Sequence, residues 1–254
     1  MTRVLFVAWQ DPEQRGWFTV GRLSREDGVY RFVYTKGAKR SSRFVPFGRM
    51  QDLDVAYESQ DLFPLFANRL LAKGRPEYAD FLSWLNVRDE ADDPLALLGR
   101  TGGMRETDSL MVFPCPEPTS SGKYHASFFA QGLRYLPSHS VSAVNEIAPS
   151  TRLFLMPDPQ NEHDRLAIAL RTGDPKTLVG YCPSYLTADF HALLRVNAEA
   201  VKVVAERVNA EAPIQLRFLC ALTSPWPRGF TPCATEDFEP LAPTARMSSH
   251  AGLT

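Results

Sequence analysis

The sequence predicts an α+β protein, with an N-terminal module of strands and helices followed by a small β-barrel carrying one main helix. Three observations predict this. Strand-length runs, several of them alternating, occupy both the start of the chain and its second half. Helical spacing of apolar residues is confined to residues 57–99 and to Ser184–Arg195. Between them, Thr101-Gly102-Gly103 and then Pro114 to Gly122 are turn and linker chemistry, which sets a boundary near residue 120.

Arg3–Trp9 is an apolar run of strand length, and Trp17–Leu23 and Val29–Tyr34 alternate on either side of Asp27-Gly28, a hairpin signal. Tyr57–Ala72 is dense in Leu and Phe and reads as helix, divided or kinked at Pro64. Pro76 suits the first turn of a second helix with Tyr78, Phe81, Leu82 and Leu85 on one face. Asp93 reads as the N-cap of a third, with Gly99 as its stop. Ser109–Phe113 closes the first module as a strand.

In the second half Tyr124–Gly132, Thr151–Met156, Leu166–Arg171 and Leu178–Tyr181 read as strands, followed by the helix Ser184–Arg195. Val201–Val208 and Ile214–Thr223 close it, the latter with Ile214, Leu216, Phe218, Cys220 and Leu222 on one face. Short strands with one helix make a small barrel or a strongly bent sheet. The domains are therefore 1–120 and 121–241, with 242–254 a disordered tail.

The chain has 254 residues, 44% hydrophobic, and a formal net charge of −1, so wholesale electrostatic coating of nucleic acid or membrane is excluded while a local basic site is not. No apolar run reaches the roughly 18 residues that span a bilayer, and no signal peptide is evident. Cys115, Cys182, Cys220 and Cys233 form no CxxC pair. They read as reduced thiols in a cytoplasmic protein, with neither a disulfide framework nor a zinc site. No cofactor is expected.

The most informative stretch is Asp158-Pro159-Gln160-Asn161-Glu162-His163-Asp164, a polar turn between two apolar strands. Its Asp and Asn side chains either hold the turn through local hydrogen bonds or present Asn161, His163 and Asp164 to a ligand. With Gly132-Leu133-Arg134-Tyr135 before it, Ala167-Ile168 and Val179-Gly180-Tyr181 after it, and the Leu186–Leu194 helix last, the segment from about His125 to Thr223 resembles a HIRAN domain. That resemblance implies an OB-like barrel holding the 3′ end of single-stranded DNA in a pocket. It carries ligand roles onto Arg134, Tyr135, Asn161 and Asp164: stacking by the Tyr135 ring, phosphate binding by Arg134, and acceptance of the 3′ hydroxyl by Asp164. His163 stands where relatives often have an aromatic, and Leu166 where a polar residue is common. Tyr181 is either a pocket wall or core. Trp226 and Phe230 are the candidates for an aromatic clamp on the terminal base.

Val20-Gly21-Arg22-Leu23, Arg31–Tyr34 and Leu62–Leu71 resemble the N-terminal subdomain of HipA-type toxin kinases. No His-Arg-Asp loop or other kinase motif accompanies them, so the resemblance implies a module that contacts a protein partner through residues 1–120. Between Gly28 and Gln51 six basic residues, among them Lys39, Arg40 and Arg43, meet no acidic one and alternate with aromatics, a pattern that suits a phosphate backbone or a solvated loop. A nuclease reading of Asp158, Asp174 and Lys176 fails because Gly173-Asp174-Pro175 is turn chemistry and not a central strand. The expected protein is thus a non-enzymatic binder of single-stranded DNA or 3′-OH ends, acting in repair or defence. The competing reading is a non-catalytic interaction or antitoxin-like component.

Overall fold

The computed structural model describes residues 4–87, 90–105, 109–162 and 164–243. It contains two compact units, each assembled from more than one stretch of chain. The first comprises residues 1–69, 104–114 and 233–254, and the second residues 70–103 and 115–232. The tail read as disordered lies outside the described residues from position 244 onward.

The first unit is a five-stranded antiparallel sheet of order β4-β3-β2-β1-β5. Its strands are β1 (Val4–Gln10), β2 (Trp17–Glu26), β3 (Val29–Tyr34), β4 (Tyr57–Ser59) and β5 (Leu110–Pro114). The β2–β3 hairpin turns at Asp27 and Gly28 with φ of 49° and 81°, the two left-handed residues that a tight hairpin matching strand twist requires. Phe32, Tyr34 and Phe66 are fully buried, and the Phe32 and Tyr34 rings meet edge to face at 4.9 Å. Residues near the C-terminus return here. Phe238 packs edge-on against Phe6 at 4.8 Å, Pro240 bridges Thr35, and Ala242 is buried. The long helical reading of residues 57–72 is corrected: Tyr57–Ser59 extends the sheet as β4, and helix survives only as the single turn α1 (Pro64–Ala67). Pro64 stands in that first turn, where its missing N–H costs nothing, and pairing with β3 outweighs helical periodicity upstream.

The second unit is a curled six-stranded antiparallel sheet of order β6-β11-β10-β7-β8-β9, a half-barrel. The strands are β6 (Lys123–Phe129), β7 (Arg152–Pro157), β8 (Ile168–Arg171), β9 (Leu178–Tyr181), β10 (Lys202–Val208) and β11 (Phe218–Pro225). Gln131, just past β6, exchanges backbone hydrogen bonds of 2.8 and 2.9 Å with Tyr181 of β9, so the two edge strands meet. Leu153, Ile168, Leu170, Phe218, Cys220 and Leu222 fill the inside with the α5 (Ser184–Asn197) residues Leu186, Phe190 and Leu193. One further helix, α4 (Ser138–Asn145), gives no signal in the sequence, because its Ser- and His-rich stretch lacks a broad apolar stripe.

The helices α2 (Tyr78–Leu85) and α3 (Pro94–Thr101) belong to this second unit. Phe81, Leu85, Val87 and Leu97 cluster on Phe129 and Leu219, so both faces of β11 are buried. Arg207 Nη1 donates to the Ser83 carbonyl at 2.7 Å, and Asn209 Nδ2 to that of Trp84 at 3.1 Å. Asp93 is the N-cap, its side chain accepting from the Leu95 N–H at 2.9 Å. Gly99 does not stop the helix. Gly102, at φ 73°, ends it one turn later. Ile214–Leu216 is a 3₁₀ turn and not the start of β11.

The reduced-thiol expectation holds for buried Cys182 and Cys220 and fails for Cys115 and Cys233, which are disulfide-bonded. The absence of a CxxC pair did not announce this, and the cysteine argument for a reducing compartment goes with it. No described helix is long and apolar enough to cross a membrane.

Candidate nucleic-acid interface

The loop after β7 is built by its own side chains. Asp158 N–H donates to the Ala167 carbonyl at 2.8 Å and Asn161 N–H to the Asp158 carbonyl at 3.1 Å, closing the base of the loop. Within it the Asp164 N–H donates to Asn161 Oδ1 at 3.1 Å, and Asp164 Oδ1 accepts the Leu166 N–H at 2.8 Å. These are the local side-chain turns that Asp and Asn form readily. Asp164 Oδ2 accepts no hydrogen bond among the described residues. Both readings of the loop therefore describe the same groups: the turn is held by one oxygen of Asp164 and leaves the other.

Two contacts tie this loop to the rest of the half-barrel. The Tyr181 hydroxyl donates to Asp158 Oδ2 at 3.1 Å, and His191 Nε2 on α5 lies 3.1 Å from the Leu166 carbonyl. Tyr181 is half-buried: its ring is packed, and its polar end faces the loop. Burial and then the Asp158 hydrogen bond push its hydroxyl pKa up, so it stays a donor throughout the ordinary pH range.

The second part of the site is the turn after β6. Gly132 at φ 76° opens the 3₁₀ turn Leu133–Tyr135, with Leu133 buried and Arg134 and Tyr135 outside. A Cβ at Gly132 would stand 3.3 Å from the Tyr181 ring, and one at Gly180 would stand 2.9 Å from Ala130. Both glycines are thus needed for the Gln131–Tyr181 pairing that carries the turn beside the loop. Tyr135 is 76% exposed, unusual for so large a ring, and the Arg134 guanidinium lies 4.7 Å from its centroid. An exposed aromatic ring is a surface on which a base can stack, and a cation beside it can meet a phosphate. The structure brings Arg134, Tyr135, Asn161, Asp164 and Tyr181 into one unit, and His163 lies outside the described residues.

Residues 123–225 match the HIRAN domain family model. This HIRAN segment falls wholly within the second unit and includes every described site residue just named. It is similar to a solved protein from Lactobacillus plantarum, at 14% identity and TM-score 0.31, over 41% of this chain and 99% of that one. It is also similar to the HIRAN domain of human HLTF, at 19% identity and TM-score 0.28, over 41% of this chain and 78% of that one. No curated protein matches the chain. The resemblance of the N-terminal segment to HipA-type kinases finds no support in these comparisons.

The remaining predicted residues stand apart. Trp226 and Phe230 pack on buried Tyr124, with centroids at 5.9 and 6.0 Å. Tyr124 lies at the start of β6 and the Arg134 turn follows its end, about 20 Å further along the strand, so these two rings serve the core and not the site. In the first unit, Lys39 pairs with Asp54 at 2.8 Å, Arg40 with Asp237 at 3.7 Å, and Arg43 with Asp11 at 3.5 Å and with Glu13. Lys39, Arg40 and Arg43, which have no acidic neighbours in sequence, thus each meet a carboxylate folded against them.

Proposed function

We propose that the protein binds nucleic acid through its HIRAN segment, with single-stranded DNA or a 3′-OH end as the preferred ligand. The observation that carries this reading is the exposed Tyr135 ring with Arg134 stacked on it, beside a loop whose Asp164 keeps one carboxylate oxygen unbonded among the described residues. In this reading Tyr135 stacks on a base and Arg134 meets a phosphate. Asp164 Oδ2 accepts a hydrogen bond from the 3′ hydroxyl, and Asn161 holds the loop in shape. Tyr181 and His191 fix that loop against the half-barrel, which here plays the part of an OB-like scaffold. Recognition, not chemistry, is the proposed activity, and processing or repair of DNA ends is the setting such recognition would serve.

Fluorescence polarisation with labelled single-stranded oligonucleotides tests the reading. Binding that weakens as salt rises is expected. Absence of binding at low salt would overturn it.

A further inference from the structure

Three strands of the half-barrel present an outer face that none of the site residues except Tyr181 uses. Leu153 and Leu155 of β7 and Leu170 of β8 point into the core, so Arg152, Phe154 and Met156 of β7 and Ala169 and Arg171 of β8 lie on the opposite face. Cross-strand register joins Phe154 to Arg171, Met156 to Ala169, and Ala169 to Tyr181. One face therefore runs from Tyr181, whose hydroxyl holds the site loop, across to Phe154 and its two arginines.

The chemistry of this face is specific. The Arg152 and Arg171 guanidinium groups both lie over the Phe154 ring, at 5.3 and 4.8 Å from its centroid. Neither forms an ion pair among the described residues. Arg171 uses one donor, Nη1, on its neighbour's carbonyl at Thr172. A carboxylate partner would neutralise an arginine and occupy its fork, as happens to Arg43 in the first unit. An aromatic partner orients the guanidinium while leaving its charge and most of its N–H edge for a phosphate. Three of the four arginine–ring contacts among the described residues fall inside the HIRAN segment.

We propose that Arg152 and Arg171, held by Phe154, form a second contact for the same single strand, binding backbone phosphates upstream of the nucleotide seated at the Tyr181–Asp158 loop. This rests on the nucleic-acid reading of that loop. Phe154 lies four residues before Asp158 along β7, about 13 Å, so the strand passes from one contact to the other within a few nucleotides. The ligand is a phosphodiester backbone and not a particular base, because two guanidinium groups read charge and not base edges.

The test compares a labelled strand of about 12 nucleotides with a dinucleotide, whose single phosphodiester stays at the first contact. With Arg152→Gln/Arg171→Gln, the slope of log K against log salt on the longer strand should flatten by about 1.4, or 0.7 per phosphate. Its affinity at low salt should fall about tenfold, with that for the short strand unchanged. Arg152 is exposed, so Arg152→Gln alone leaves packing intact and should flatten the slope by about 0.7. An unchanged slope on the longer strand, or an equal loss on both strands, overturns the second contact and leaves the proposed function standing. Failure of the unmodified protein to bind either strand defeats both.

Discussion

The Tyr181 hydroxyl donates to Asp158 Oδ2 at 3.1 Å, while the Tyr181 backbone pairs with Gln131. One residue therefore couples the loop after β7 to the turn that carries Arg134 and Tyr135. Tyr181→Phe removes the hydrogen bond and keeps the ring. Thermal unfolding should show a loss of about 1 kcal/mol, with weaker oligonucleotide binding as the loop loosens. Binding equal to the unmodified protein would mean that the loop keeps its shape without this tie.

Asp164 supplies the sharpest chemical test of the proposed end recognition. A 3′-phosphate removes the donor and brings negative charge to a carboxylate, so it should bind worse than a 3′-OH strand. A hydrogen bond to a charged group of roughly 1.5–3 kcal/mol predicts about 10- to 150-fold discrimination. Asp164→Ala should weaken 3′-OH binding and erase the difference. Tyr135→Ala should weaken both strands alike, by about 1–3 kcal/mol, since stacking does not sense the end group. Equal affinity of the unmodified protein for the two ends would defeat the assignment to Asp164.

Arg43 is expected to matter for stability more than for DNA. Asp11 is fully buried, and although burial alone would raise its carboxyl, the Ser41 hydroxyl, the Gln14 and Glu13 N–H groups and the Arg43 guanidinium hold it below the ordinary value. Lys39→Ala/Arg40→Ala/Arg43→Ala should lower the melting temperature while leaving the salt dependence of oligonucleotide binding unchanged. A flattened salt slope would restore these residues to the DNA-binding surface.

Asp189 on α5 gives a pH signature. Burial raises its carboxyl to about 6, with the hydrogen bond donated by Tyr124 at 3.2 Å acting the other way. A folded value above the unfolded one means that the native state holds the proton more tightly. The stabilising contribution is complete below about pH 4 and is lost as pH rises through about 6. At pH 8 the ionised group costs about 3 kcal/mol relative to a neutral one. Asp189→Asn should therefore be more stable than the unmodified protein at pH 8, and the advantage should vanish toward pH 4. Chemical denaturation at the two pH values measures it, and a pH-independent difference would contradict the burial argument.

The amino-acid sequence by itself determined the elements whose causes are local. The Asp27-Gly28 hairpin, the Asp93 cap, β3 and β9 at their full observed bounds, and the polar loop 158–164 between two strands all follow from alternation, turn chemistry and capping within a few residues. The ordered landmarks Gly132–Tyr135, Asp158–Asp164 and Val179–Tyr181 likewise marked the segment that matches the HIRAN domain. Only the tertiary structure decided what depends on distant partners. Tyr57–Ser59 became a strand because β3 offered an edge, and Lys39, Arg40 and Arg43 gained carboxylate partners because Asp54, Asp237 and Asp11 fold onto them. Cys115 and Cys233 are each disulfide-bonded, which no CxxC pattern announces. Arg152 and Arg171 meet over Phe154 through strand register, a relation that no linear pattern encodes because it is created only when β7 pairs with β8.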